Sequence, residues 1–179
     1  MDSSSPATQS DPLLQMLRTD PANASLLQEC VRVALAEGRP DKAREALAVS
    51  RVDGVPASVL RYGSAQVLLH EHRWAEAVDV LSQLLDIDGQ VLPPSDAAAA
   101  LFAKGFALFN DGRYADASAS LEQALLTGSA PNGSLSYLLR SLHHAGNPAA
   151  ACEAWTRASA SDRTPEAAGI ASLAYLEAG

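Results

Sequence analysis

From Asp11 to Thr19 the apolar residues Leu13, Leu14, Met16 and Leu17 fall on one side of a 3.6-residue helix, ahead of the helix-stopping pair Asp20-Pro21. Helical spacing returns in the middle of the chain, where Phe102, Phe106 and Phe109 stand at i, i+4 and i+7 and share one face. Between such stretches a short polar phrase recurs. Glu37-Gly38-Arg39-Pro40-Asp41-Lys42-Ala43 returns as Glu71-His72-Arg73-Trp74-Ala75-Glu76-Ala77 and as Asp111-Gly112-Arg113-Tyr114-Ala115-Asp116-Ala117. A fourth copy is Ala145-Gly146-Asn147-Pro148-Ala149-Ala150-Ala151. The closing alanines Ala43, Ala77, Ala117 and Ala151 are separated by 34, 40 and 34 residues. A period of this length marks helical hairpins that bury their apolar faces by stacking on their neighbours. The longer middle interval holds an insertion, read as a loop over 86–97 because Pro93 and Pro94 forbid a helix interior.

At these positions the chain resembles the tetratricopeptide repeat family, whose unit is a helix A, a turn and a helix B. The match is fullest in the third unit, with Leu101, Gly105 and Leu108 in helix A, Gly112 and Tyr114 in the turn, and Ala117, Leu121 and Ala124 in helix B. The first unit offers Leu27, Val31, Ala34, Gly38, Ala43, Leu47 and Ser50. The second offers Arg61, Ala65, Leu68, His72, Ala77, Leu81 and Leu84, and the fourth Leu135, Leu139, Leu142, Gly146, Ala151, Trp155 and Ala158. The resemblance implies an all-α, right-handed superhelical solenoid of about four such units. Its expected boundaries are repeats at 24–56, 58–89, 98–130 and 132–163. A capping helix is expected at 11–20 and a terminal helix at 165–179, following a disordered tail at 1–10. Ala168, Ser172 and Tyr175 would then face the place of a missing helix B, leaving little apolar area uncovered.

Composition narrows the chemistry. Net charge is −8, with only 13 basic residues against 21 acidic ones, so a phosphate backbone would be repelled. No apolar run reaches the length of a membrane span, and the start Met1-Asp2-Ser3 has no secretory pattern, which together predict a cytoplasmic protein without membrane insertion. Cys30 and Cys152 lie in different units and are expected to be free, buried thiols. The Asn-x-Ser sequences at Asn23 and Asn132 are read as helix-opening turns. Asp86-Ile87-Asp88-Gly89 lacks the alternating ligands and the later glutamate of a calcium loop, so no metal or other cofactor is expected. His70 with His72 and His143 with His144 sit at helix ends and do not share a ligating face. No phosphate loop, paired-cysteine motif, zinc-binding helix or nucleophile elbow occurs, and no enzyme is expected.

The resemblance places function in a concave groove lined by helices A. The groove residues singled out are Arg32, Tyr62, Gln66, Phe102, Phe106, Phe109, Tyr137 and Arg140, with Gly63, Ala103 and Ser136 also at lining positions. Carboxylate-holding lysines and asparagines of some family members are absent, since Gln28, Arg32, Gly63, Ala99 and Ala103 stand there. The face of Phe102, Phe106 and Phe109 has two readings, contact with a ligand in the groove or packing between helices. An apolar groove flanked by Arg32 and Arg140 suits an amphipathic or extended apolar segment of a protein or peptide partner. Three roles fit: an adaptor or assembly scaffold, a chaperone resembling those of bacterial type III secretion translocators, and a regulatory partner of an enzyme.

Overall fold

The computed structural model describes residues 9–52, 54–89 and 92–178, which form ten α-helices. These are α1 (Ser10–Thr19), α2 (Ala24–Ala36), α3 (Pro40–Val49), α4 (Ala57–His70) and α5 (Trp74–Asp88). They are followed by α6 (Pro94–Asn110), α7 (Tyr114–Leu126), α8 (Ser134–His144), α9 (Pro148–Arg157) and α10 (Pro165–Ala178). Contacts divide the chain into two compact units, 1–80 and 81–179, with the division inside α5.

In the first unit α2 packs on α3 and α4, and α1 lies against both α2 and α3. In the second, α6 packs on α7 and α8, and α8 on α9 and α10. Thus α2, α6 and α8 each meet the helix B that follows them and the next helix in the A position, the arrangement of an all-α solenoid of repeated helix-turn-helix units with a further helix at each end.

The recurring small and bulky residues explain that packing. Ala43, Ala77, Ala117 and Ala151 are wholly buried, as are Leu81, Leu121 and Leu139, each leucine contributing about 1.5–3 kcal/mol. Helix A comes close to helix B at Gly105, where an added Cβ would stand 2.5 Å from Leu121 Cγ and 3.3 Å from the Ala117 carbonyl oxygen. Gly63 packs beneath Leu47 and Val31, so it belongs to the core of the first unit and not to a ligand groove.

The turns share one hydrogen-bonding scheme. Arg39, Arg73, Arg113 and Asn147 donate their backbone N–H groups to Ala34, Leu68, Leu108 and Leu142 at 2.8–2.9 Å, closing each helix A. The residue before each donor has positive φ: Gly38 at 69°, Gly112 at 78° and Gly146 at 72°, but His72 at 57°. An L-residue pays a steric cost there that glycine escapes.

Several expectations change. The inserted loop over 86–97 is shorter, because α5 continues through Asp88 and α6 begins at Pro94. Proline disrupts a helix interior, but at the first helical position its missing N–H has no partner to lose. Ser10, expected in the polar tail, is 2% exposed and opens α1, donating from Oγ to Glu37 Oε2 at 2.5 Å. That bond holds the Glu37 carboxyl below its usual range, and residues 1–8 of the expected tail lie outside the described residues. Asn23 does open α2, its Oδ1 accepting from the Leu26 N–H at 3.0 Å.

Both cysteines are free, but only Cys30 is buried, and burial beside Glu29 raises its thiol to about 11. Cys152 is half-buried because it lies beside, not on, the inward stripe marked by Ala151 and Ala154. On α10, Ala167, Ala171 and Ala174 turn inward and Tyr175 is exposed as expected. Leu173 and Leu176 are exposed as well, so this helix shows more apolar surface than its small residues suggest.

Two substitutions test the packing and turn assignments. Gly105→Ala gains about 1 kcal/mol of helix propensity but overpacks against a fully buried leucine, at a cost of about 1–3 kcal/mol. Its urea midpoint is expected to fall; a rise would mean that helix A does not approach helix B this closely. At the second turn, His72→Gly is expected to be about 1 kcal/mol more stable than His72→Ala, since both lose the ring and only alanine keeps the strained Cβ. Equal thermal midpoints would contradict the left-handed conformation.

Candidate protein-interaction surface

Helical spacing brings Phe102, Phe106 and Phe109 to the side of α6 that meets α8, and Tyr137 of α8 stands among them. Its ring lies edge-on to all three, with centroids 5.9, 5.3 and 5.6 Å away and interplanar angles of 76°, 82° and 80°. Edge-to-face geometry puts positive ring edges against negative faces and contributes about 0.5–1.5 kcal/mol per pair. All four rings are partly buried.

Arg140 follows Tyr137 by three residues on α8 and so rises over the same surface. Its guanidinium carbon lies 5.2 Å from the centre of Phe109 and 5.6 Å from that of Tyr137. The rings hold its charge by cation–π attraction, and among the described residues no carboxylate pairs with it.

Two further residues extend the cluster. Tyr114, the first residue of α7, packs edge-on to Phe109 at 5.4 Å, and His144 stacks on Tyr114 at 4.9 Å and 24°. His144 stands at the end of α8, as its position in the sequence predicts. The turn that carries Tyr114 back beside α8 is a tertiary feature, and spacing along a single helix gave no signal for it. His143 Nδ1 lies 3.0 Å from Glu177 Oε2 of α10.

The other expected groove residues belong to the first unit. Arg32 is exposed on α2 and engaged by Glu29, with Nε–Oε2 at 2.8 Å and Nη2–Oε1 at 2.5 Å. This bond lowers the Glu29 carboxyl and raises the Arg32 guanidinium, so the side chain is already matched by a neighbour one turn away. Tyr62 and Gln66 stand one turn apart on α4, both partly buried. Ser136 is 2% exposed and Ala103 7%, which moves both from the lining into the packing. Among the described residues no cluster of three His, Cys, Asp or Glu is arranged for a metal ion, and no helix is long and apolar enough to cross a membrane.

Two solved structures share this architecture. One is of nearly identical TPR-like repeats from a Podosopora anserina protein named for the kinesin light chain, with a TM-score of 0.68 and 17% identity. The alignment covers 89% of this chain and 88% of that one. A substituted form of the same repeats superimposes with a TM-score of 0.66 at 18% identity, with the same coverage. The fold is that of tetratricopeptide-like repeats. No family model matches the sequence, and no curated protein matches it. Within the TPR-like frame, α6 and α8 are successive helices A, so the aromatic surface lies on the helix-A side of the second unit.

Tyr137 is the ring on which this surface turns. Tyr137→Ala is expected to lower stability by about 2–4 kcal/mol, whereas Tyr137→Phe keeps every ring contact and should stay within about 0.5 kcal/mol. Chemical denaturation followed by far-ultraviolet circular dichroism distinguishes them, and an equal loss in both variants would point to the hydroxyl instead.

Proposed function

We propose that the chain is a non-enzymatic protein-interaction module, an adaptor or assembly scaffold. Its helix-A side in the second unit would take an amphipathic or extended apolar segment of a partner protein. The observation that carries this reading is the partly buried aromatic face of Phe102, Phe106, Phe109 and Tyr137 beneath an arginine that no carboxylate neutralises among the described residues. Aromatic rings supply apolar area at low entropic cost, and arginine beside them supplies direction and a few polar bonds. Tyr62 and Gln66 offer a similar mixture on α4 and are proposed as contacts in the first unit. Arg32 is a weaker candidate, since a partner would have to displace Glu29.

The net charge of −8 disfavours nucleic acid and favours partners that are neutral or basic overall. A partner carboxylate could still pair with Arg140, because direct contact outweighs a screened distant field.

The test combines partner capture with substitution. Partners retained from source-cell lysate would be identified by mass spectrometry and their affinity measured for the native chain, Phe106→Ala and Arg140→Gln. Phe106→Ala is expected to weaken binding by about 2 kcal/mol, roughly thirtyfold, while stability falls by less than the 3–5 kcal/mol of a core phenylalanine deletion. Gln123→Ala on the exposed side of α7 serves as the control. A large loss of stability with unchanged affinity would assign Phe106 to packing and overturn the proposal.

A further inference from the structure

A concavity lies in the second unit, at the C-terminal ends of α7 and α9 and the loops that follow them. Its volume is about 570 Å³, in the range of clefts that enclose a ligand or a short piece of chain. The floor is apolar, formed by Leu125, Leu138, Ala154 and Ala158. Leu126 stands at the margin and is 81% exposed. Exposed apolar area beside a concavity is characteristic of surfaces that meet a partner.

The polar rim is unequal in sign. Arg157 Nη2 donates to Glu122 Oε1 at 2.9 Å, so these two charges offset one another. Asp162 Oδ2 accepts from the Ser159 hydroxyl at 2.5 Å, and no cation pairs with it among the described residues. α7 ends at the cleft with no basic residue in its own last turn to offset the negative end of its dipole. At the end of α9, Arg163 already donates to the carbonyl oxygens of Trp155 and Thr156 at 3.1 and 2.9 Å. An apolar floor, one carboxylate without a cation among the described residues and a helix C-terminus with no basic residue of its own together select a cation carried on an aliphatic stem.

We propose that this cleft docks a short segment of a partner protein in which a lysine or arginine adjoins an aliphatic residue. The aliphatic side chain would rest on Leu125 and Leu138, and the cation would meet Asp162 and the end of α7. A chain segment fits better than a small molecule, because covering Leu126 requires an occupant that extends beyond the mouth. The site is independent of the aromatic face, so one unit would hold two partners at once.

The test titrates acetyl-Leu-Lys-Leu-amide into the isotope-labelled full-length chain and follows backbone amide resonances. Shifts are expected to gather at Gly128, Ala130, Ser159 and Ser161. Asp162→Asn and Leu126→Ser should each weaken binding by about threefold or more, and salt near 0.5 M should weaken it further. Both substitutions are at the surface, and Glu122→Gln adds a third measurement, since releasing Arg157 should repel the lysine. Phe106→Ala should leave these shifts unchanged, which separates this site from the aromatic face. The proposal is overturned by absence of shifts at millimolar peptide, by shifts centred on α6 and α8, or by equal affinity for acetyl-Leu-Glu-Leu-amide. Hexylammonium binding as tightly as the peptide would also overturn it, by making the cleft a small-molecule site.

Discussion

The contact between the two helices of a unit sets the rest of the structure. At Gly105 there is no room for even a methyl group above Leu121, and Ala117 completes the same close approach from helix B. Small residues let the backbones come near enough for the intervening leucines to be enclosed. Once that separation is set, the exposed edge of one hairpin presents an apolar stripe that only the next hairpin can cover. Stacking is therefore a consequence of helix-pair geometry, and the burial of Ala151, Leu139 and Leu135 in the following unit extends the same principle.

The turns make this separation repeatable. Each helix A is closed by the same backbone bond, and a residue of positive φ permits the same reversal at each turn. Three of these positions are glycine, whereas His72 occupies the fourth and packs its ring edge-on to Trp74 at 4.9 Å. The repeated reversal places α6 and α8 side by side. Consequently three phenylalanines on one helix meet a tyrosine and an arginine that follow them by about thirty residues.

Electrostatics contribute less to stability than to availability. Arg18, Arg39, Arg73, Arg113 and Arg157 each pair with a carboxylate near the surface, where such contacts are worth about 0–1 kcal/mol. Their larger effect is to occupy the cations. In a chain with an excess of acidic residues, this distinguishes Arg140, held over aromatic rings, from Arg32, held by Glu29. The same accounting on the other side of the second unit leaves Asp162 without a cation among the described residues.

Periodicity alone determined the repeated unit, its helices and turns, because small and bulky residues recur where every hairpin must meet the same steric requirement. It also placed the three phenylalanines on one face, since that relation is local to a helix. Sequence reading misplaced the start of α6, where the position of a proline within the helix decides its effect. It could not separate Gly63 and Ser136 from ligand-facing positions, because neighbouring units decide which residues on a helix-A face are covered. Tertiary structure alone joined Tyr114 and His144 to the aromatic cluster and formed the cleft beside Asp162, whereas the Arg32–Glu29 pair, three residues apart on α2, is local to one helix. A single helix dictates which side chains share its face, but only the packed neighbours decide which of them keep their charge, their exposure and room for a partner.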